Sequence, residues 1–191
     1  MQTSFITITL ALTLSLGTAS AQTLSGSQAK GALFSPEGIV VELRSVPPLK
    51  PEEIKLIGQI AAEQSYYAAA AVAPSEELLK SEATFLAGNY HSLEAAETAV
   101  LAVCNAKRKG GVPCQIAVTV KPKNWTQRGF QLSKEATAAM AKDYGRSGSR
   151  ALAISAGSGA FGMGKGDRAQ DAALAGCAAG GATDCTIVVQ D

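Results

Sequence analysis

The sequence predicts an α+β protein made of two pseudo-symmetric strand-strand-helix-strand units that form an antiparallel sheet packed on helices. Residues 94–104 and 167–177 align without gaps and share three alanines, a leucine and a final cysteine. Each segment is followed by a glycine-containing loop, a second cysteine and an alternating β-branched run. We therefore expect a tandem of related units, each with its own cysteine pair.

Changes in composition divide the chain into five parts. They are a signal peptide at 1–21, an N-terminal lead with a strand and a helix at 22–65, repeat unit one at 66–122, a connector with a helix at 123–149, and repeat unit two at 150–191. The mature part, of about 170 residues, fits one domain or two packed half-domains.

The N-terminus has the features of an export signal. Residues 5–16 are apolar but too few to span a bilayer comfortably. Ala19-Ser20-Ala21 matches the pattern that signal peptidase cleaves, which makes Gln22 the new N-terminus. Because no Lys or Arg precedes the apolar run, an uncut anchor is the alternative. We expect cleavage and a periplasmic or secreted mature protein without a transmembrane segment.

The lead begins with a short helix at 27–33 and a strand at 39–43. Pro51 suits the first position of a second helix, because a helix leaves that amide unpaired in any case. Glu52 and Glu53 then lie in its first turn, where the helix dipole favours negative charge.

Residues 67–73 begin unit one and are ambiguous, because alanine favours a helix. We assign them to a strand because Leu152 and Ile154 alternate at the equivalent place in unit two. Second strands follow at 82–87 and 159–164.

Polar residues mark where the helices begin. We expect Ser92 to N-cap a helix that ends near Lys107, and Asp167 to N-cap one that ends near Ala179. In the connector, Ser133 caps a helix over 134–144.

Cys114 and Cys185 open the third strands, at 114–120 and 185–189. We expect both third strands to lie centrally in one antiparallel sheet.

Four cysteines in an exported chain predict two disulfides. Three pairings are possible, and the repeat favours Cys104–Cys114 with Cys177–Cys185. A zinc site is the alternative, but the spacings exceed those of structural zinc knuckles.

The formal net charge of +1 argues against nucleic acid as a partner, because binding phosphates requires a marked basic excess. The hydrophobic fraction of 47% is ample for a core. The expected partner is an unidentified protein or a component of the cell envelope.

The chain resembles the DUF4189-type repeat of exported bacterial proteins. Residues 151–164 carry the strand-turn-strand start of that repeat, and residues 173–177 carry its Ala-Leu-x-x-Cys helix end, with 100–104 as the counterpart. The chain is also similar to short exported alphaproteobacterial proteins labelled 5-aminolevulinate synthase. The resemblance implies a fold and an export route rather than an activity.

No catalytic residues are predicted. His91 is the only histidine, and we interpret it as a surface or loop residue because no nucleophile or orienting acid accompanies it. Glycines over 157–166 fit turns better than a phosphate loop. Neither a metal nor a cofactor is predicted. A 5-aminolevulinate synthase would need a large pyridoxal-phosphate domain, which these small units do not provide.

The sequence therefore favours a non-enzymatic, disulfide-stabilised binding or envelope-interaction protein. An inhibitor of another exported protein and an enzyme are the alternatives. A possible binding surface comprises Tyr66, Tyr67, Tyr90, His91 and Trp125.

Overall fold

The computed structural model describes residues 23–191, so the predicted signal peptide lies outside the described residues. The helices are α1 Gly26–Ala32, α2 Pro51–Ala61, α3 Leu93–Lys107, α4 Lys134–Lys142 and α5 Ala169–Ala179. The strands are β1 Ile39–Leu43, β2 Ala68–Val72, β3 Phe85–Ala87, β4 Gln115–Pro122, β5 Arg150–Ser155, β6 Phe161–Lys165 and β7 Cys185–Gln190. None of the helices in residues 23–191 combines the length and apolar character needed to cross a membrane.

The strands form two antiparallel sheets, so the α+β class is confirmed and the expectation of one continuous sheet is wrong. The first sheet has the order β1-β4-β2-β3 and the second β6-β5-β7. β4 is internal as expected, because β1 pairs along its outer side. The expectation that the third strand of unit two is central is wrong, because β7 is an outer strand of its sheet. Within residues 23–191 it is bordered on its free side by a single parallel bridge between Leu24 and Val189.

Helices cover both faces of the first sheet. α2 packs on one face against Ala68, Ala70 and Val118. α3 packs on the other against Ala69 and Ala71. β2 is therefore buried on both faces, which explains why an alanine run with high helix propensity forms a strand.

The second sheet is covered in the same way. α4 and α1 lie on the face that contains Leu152 and Val189. α5 lies on the opposite face, and the approach depends on Gly162 and Gly164. A Cβ added at either glycine would overlap backbone atoms of α5.

Both units follow the same order of elements. In each, the first strand lies between the second and the third. In each unit the pairing of the first strand with the third contains a bulge. The bulged residue has no partner on the first strand, and it is Ala117 in unit one and Val188 in unit two. A helix also precedes each unit, α2 before β2 and α4 before β5, a correspondence that sequence comparison did not find.

Two disulfides confirm the predicted pairing. They join Cys104 to Cys114 and Cys177 to Cys185. Each therefore connects its unit's helix to the loop or strand that follows it, and so holds the helix against the sheet.

The predicted caps are confirmed except for one. Ser92 accepts a hydrogen bond from the Ala95 amide, and Ser133 accepts one from the Ala136 amide. The assignment of Asp167 as the cap of α5 is wrong, because the helix begins at Ala169 after Arg168. The turn before the helix is closed by a hydrogen bond that the Ala169 amide donates to the Gly166 carbonyl.

We predict that Gly164→Ala destabilises the protein by about 1–3 kcal/mol, because the new methyl group must displace the Ala169 carbonyl from the packed helix. Gly31→Ala is the matched control. Apart from its chain neighbours and its own helix backbone, no atom of residues 23–191 lies within 4 Å of a Cβ at that helical position, so this change should stabilise the protein by about 0.5–1 kcal/mol. Urea unfolding measures both changes, and an equal effect of the two variants would contradict the close contact.

Candidate anion-binding pocket

Two of the predicted surface aromatics belong to the interior. Tyr66 and Tyr67 are fully buried and pack edge to face, with ring centroids 5.3 Å apart. Burial raises the pKa of both phenols. These side chains are therefore inaccessible to a partner, and the expectation that they lie on a surface is wrong.

The other two predicted aromatics are half-buried and lie in different environments. Tyr90 packs against the core beneath α3. The indole nitrogen of Trp125 donates to Oε1 of Gln131 at 2.9 Å, and Nζ of Lys121 lies 4.7 Å from the indole centroid. Part of each side chain remains exposed, but the five predicted residues do not form one aromatic surface.

His91 is buried at the junction between the two units, with only 3% of its surface exposed. Its Nδ1 accepts a hydrogen bond of 3.0 Å from the amide of Ser133 at the start of α4. Because Nδ1 accepts, Nε2 carries the proton and donates to the Ala160 carbonyl at 3.0 Å. The surface interpretation of His91 is wrong, since the ring joins unit one to the connector and to unit two.

Burial lowers the pKa of His91, although the hydrogen bond to Ala160 and the charge of Asp184 act in the opposite direction. The neutral ring makes both of its hydrogen bonds to backbone atoms. It is therefore not free to take a proton from a substrate.

A different group of residues surrounds a pocket at one end of the second sheet. Arg150 opens β5, and Asp191 follows β7. Each donates its amide to the other's carbonyl at 3.0 Å. This backbone pair places the side chains next to each other, and Nη2 of Arg150 lies 3.0 Å from Oδ2 of Asp191.

The start of α1 supplies the second wall. Leu24 bonds to the backbone of Val188 and Gln190, which brings the helix to the end of β7. The Gly26 amide then donates to both carboxylate oxygens of Asp191, at 3.2 and 3.1 Å. Partial burial opposes ionisation of Asp191, but the hydrogen bonds from Gly26, Tyr144 and Arg150 outweigh it and lower the pKa of the carboxyl group.

Tyr144, just beyond α4, forms the third wall. Cζ of Arg150 lies 5.4 Å from the centre of its ring, and Nζ of Lys30 lies 6.0 Å from it. Burial and the adjacent Asp191 charge raise the pKa of the Tyr144 phenol to about 12. Its hydroxyl therefore stays protonated at neutral pH.

The resulting cavity has a volume of about 280 Å³ and carries an excess of positive charge. Lys30, Arg146 and Arg150 line it, against the single carboxylate side chain of Asp191. Only 9% of Arg150 is exposed, and its Nε and Nη1 atoms have no hydrogen-bond partner within residues 23–191. Cationic donors in a partly desolvated cleft are suited to a small anion.

The pocket also contains groups that accept or donate hydrogen bonds. Besides the three cations, it contains an ionised carboxylate, the Tyr144 phenol and the hydroxyl of Ser27. No cluster of three or more His, Cys, Asp or Glu side chains suitable for a metal occurs in the described part of the chain.

Sequence reasoning did not find this pocket. Arg150 gave the one available signal, because a charged residue opens a strand that otherwise contains mostly apolar residues. The groups around Arg150 come from the segment just before it, with Tyr144 and Arg146, and from two distant segments, at 26–30 and at Asp191. Neither a family model, nor a curated protein, nor a solved structure matches this chain.

We predict that His91→Ala lowers the free energy of unfolding by about 1–3 kcal/mol, because the buried Ser133 amide loses its acceptor.

Stability should also depend on pH. The pKa of His91 is lower in the folded protein than its ordinary value of about 6.5, so the unfolded chain binds the extra proton. Stability is therefore complete above about pH 6.5 and falls as the pH decreases through that value.

Urea unfolding at pH 7 and at pH 5 measures this loss. His91→Asn is the control, because its amide oxygen replaces Nδ1 as an acceptor but does not titrate. If wild type and His91→Asn lost the same stability between pH 7 and pH 5, the pH dependence would come from groups other than His91.

Proposed function

We propose that this protein is an exported, disulfide-stabilised binding protein that holds a ligand through a carboxylate or phosphate group in the pocket around Arg150. The observation that carries the proposal is the set of three cations that line this cavity, Lys30, Arg146 and Arg150, against the one carboxylate side chain of Asp191. Cationic donors hold a carboxylate or phosphate group through charge-assisted hydrogen bonds, which are stronger than neutral ones.

The charge distribution supports the same ligand class. The Asp191 carboxylate pairs with Nη2 of Arg150 and accepts a hydrogen bond from the Gly26 amide. Lys30 and Arg146 are exposed at the rim, and neither is paired with a carboxylate among residues 23–191. A bound anion therefore meets more positive than negative charge, even with Asp191 in place.

Two features support export. The disulfides are characteristic of an oxidising compartment. The predicted cleavage after Ala21 accounts for delivery to the periplasm or the medium. We also propose that the chain is related to the DUF4189-type repeat, because residues 151–164 and 173–177 carry the sequence motifs of that repeat.

Titration of the mature protein with acetate, succinate and inorganic phosphate tests the proposal. Isothermal calorimetry measures affinity, and amide chemical shifts locate the site. We expect saturable binding to at least one probe, with shifts concentrated at Ser27, Arg146 and Arg150. The double variant Lys30→Gln/Arg146→Gln should bind at least about 10-fold more weakly, because each charge-assisted hydrogen bond contributes about 1.5–3 kcal/mol.

Lys107→Gln/Lys109→Gln is the matched control. It removes the same charge from exposed residues at the end of α3, outside this pocket. Affinity that falls equally in both double variants would indicate non-specific attraction. Failure of all three probes to bind saturably would contradict the proposed function.

A further inference from the structure

The outer edge of β1 is open. The Arg44 amide donates to the Ala117 carbonyl, and the Lys123 amide donates to the Gly38 carbonyl. Even-numbered residues of this segment therefore direct their backbone groups towards β4, and the odd-numbered ones direct theirs outwards. The outward N–H and C=O groups belong to residues 39, 41 and 43, and they make no hydrogen bond within the described chain.

Within residues 23–191, β1 has none of the protection that is typical of an edge strand. Natural edges carry lysines, prolines or covering loops that prevent pairing with another chain. β1 reads Ile-Val-Val-Glu-Leu, and its one charged residue, Glu42, is paired with Lys121 of its own sheet. Leu43 is 50% exposed.

Exposed apolar residues concentrate near this edge. The large hydrophobic side chains exposed in the described chain are Val40, Leu43, Leu56, Ile60, Leu79 and Val112. Four of these six belong to β1 and to α2, which packs on the same sheet. Apolar side chains next to unpaired backbone groups are characteristic of a sheet edge that accepts another strand.

We propose that β1 pairs antiparallel with β1 of a second copy of this chain, about a two-fold axis at Val41. In this register Val41 faces its symmetry mate, and Ile39 faces Leu43. All three outward-facing residues then form hydrogen-bonded pairs, and the two sheets join into one of eight strands.

The side chains are self-complementary in the same register. Ile39, Val41 and Leu43 lie on the face covered by α2, so each directly opposed pair on that face is apolar. On the other face Val40 lies opposite Glu42, and Arg44, which pairs with Glu97 of its own chain, lies opposite Gly38. The apolar face therefore carries the complementarity, and the two-fold axis supplies each of its contacts from one and the same sequence. An unrelated peptide would have to present apolar residues at the same alternate positions, which is why we assign the edge to a second copy.

Sedimentation equilibrium of the mature protein tests the proposal. From about 5 µM to about 500 µM the weight-average mass should rise from that of a monomer towards twice that value, because one strand pair supports only modest affinity. Backbone amides at positions 41 and 43 should exchange with solvent more slowly at the higher concentration.

Leu43→Lys should raise the dimer dissociation constant at least about 10-fold, since it places a charge opposite Ile39. Val41→Pro removes the central outward N–H and should have a similar effect, because that amide makes no bond to β4. Leu79→Lys is the control, as this side chain is 81% exposed on a loop outside the edge.

A monomer at every concentration would overturn the proposal. It would also fail if Leu43→Lys and Leu79→Lys weakened association equally, or if Leu43→Lys left it unchanged. Amides at 41 and 43 that exchanged slowly in a monomer would show that something other than a second copy covers the edge. Thermal melting of each variant checks that the fold is retained.

Discussion

Helices approach both faces of each sheet closely, and this close packing limits the size of the side chains that the strands can carry. Ala68–Val72 runs between α2 and α3 with both faces buried, so a longer side chain would separate one helix from the sheet. Gly162 and Gly164 permit the same approach beneath α5. Alanine and glycine bury little apolar area for each residue ordered, so close packing provides a smaller hydrophobic contribution than a leucine-rich core would. The disulfides compensate by anchoring α3 and α5 to the segments that follow them.

The two units are joined by directional contacts more than by a shared apolar core. His91 bonds to Ser133 and to Ala160. The side-chain oxygen of Asn89 accepts from the Glu135 amide at 3.3 Å, and the backbone of Asn89 lies so close to Gly159 that no side chain fits there. Hydrogen bonds of this kind restrict orientation as well as distance. They therefore define how the second sheet is placed relative to the first.

Sequence reasoning succeeded where structure is determined by neighbouring residues. Ser92 and Ser133 cap helices because the partner amide is three residues away, and both cysteine pairs close loops within one unit. It failed where contacts between residues far apart in the sequence determine the structure. Gly26 meets Asp191 across 165 positions of sequence, so the pocket has no local signature. The burial of His91 also depends on how separate units pack, which its neighbours in the sequence do not reveal.

The arrangement of the disulfides affects how the chain matures after synthesis. Each bridge joins cysteines that are consecutive in sequence, separated by 10 and by 8 positions. A chain that leaves the ribosome N-terminus first presents the cysteines of unit one together, before those of unit two. An oxidase that couples each new thiol to its predecessor would therefore produce the native pairs directly. Correct pairing then follows from the order of emergence, without a step that reshuffles wrong bonds.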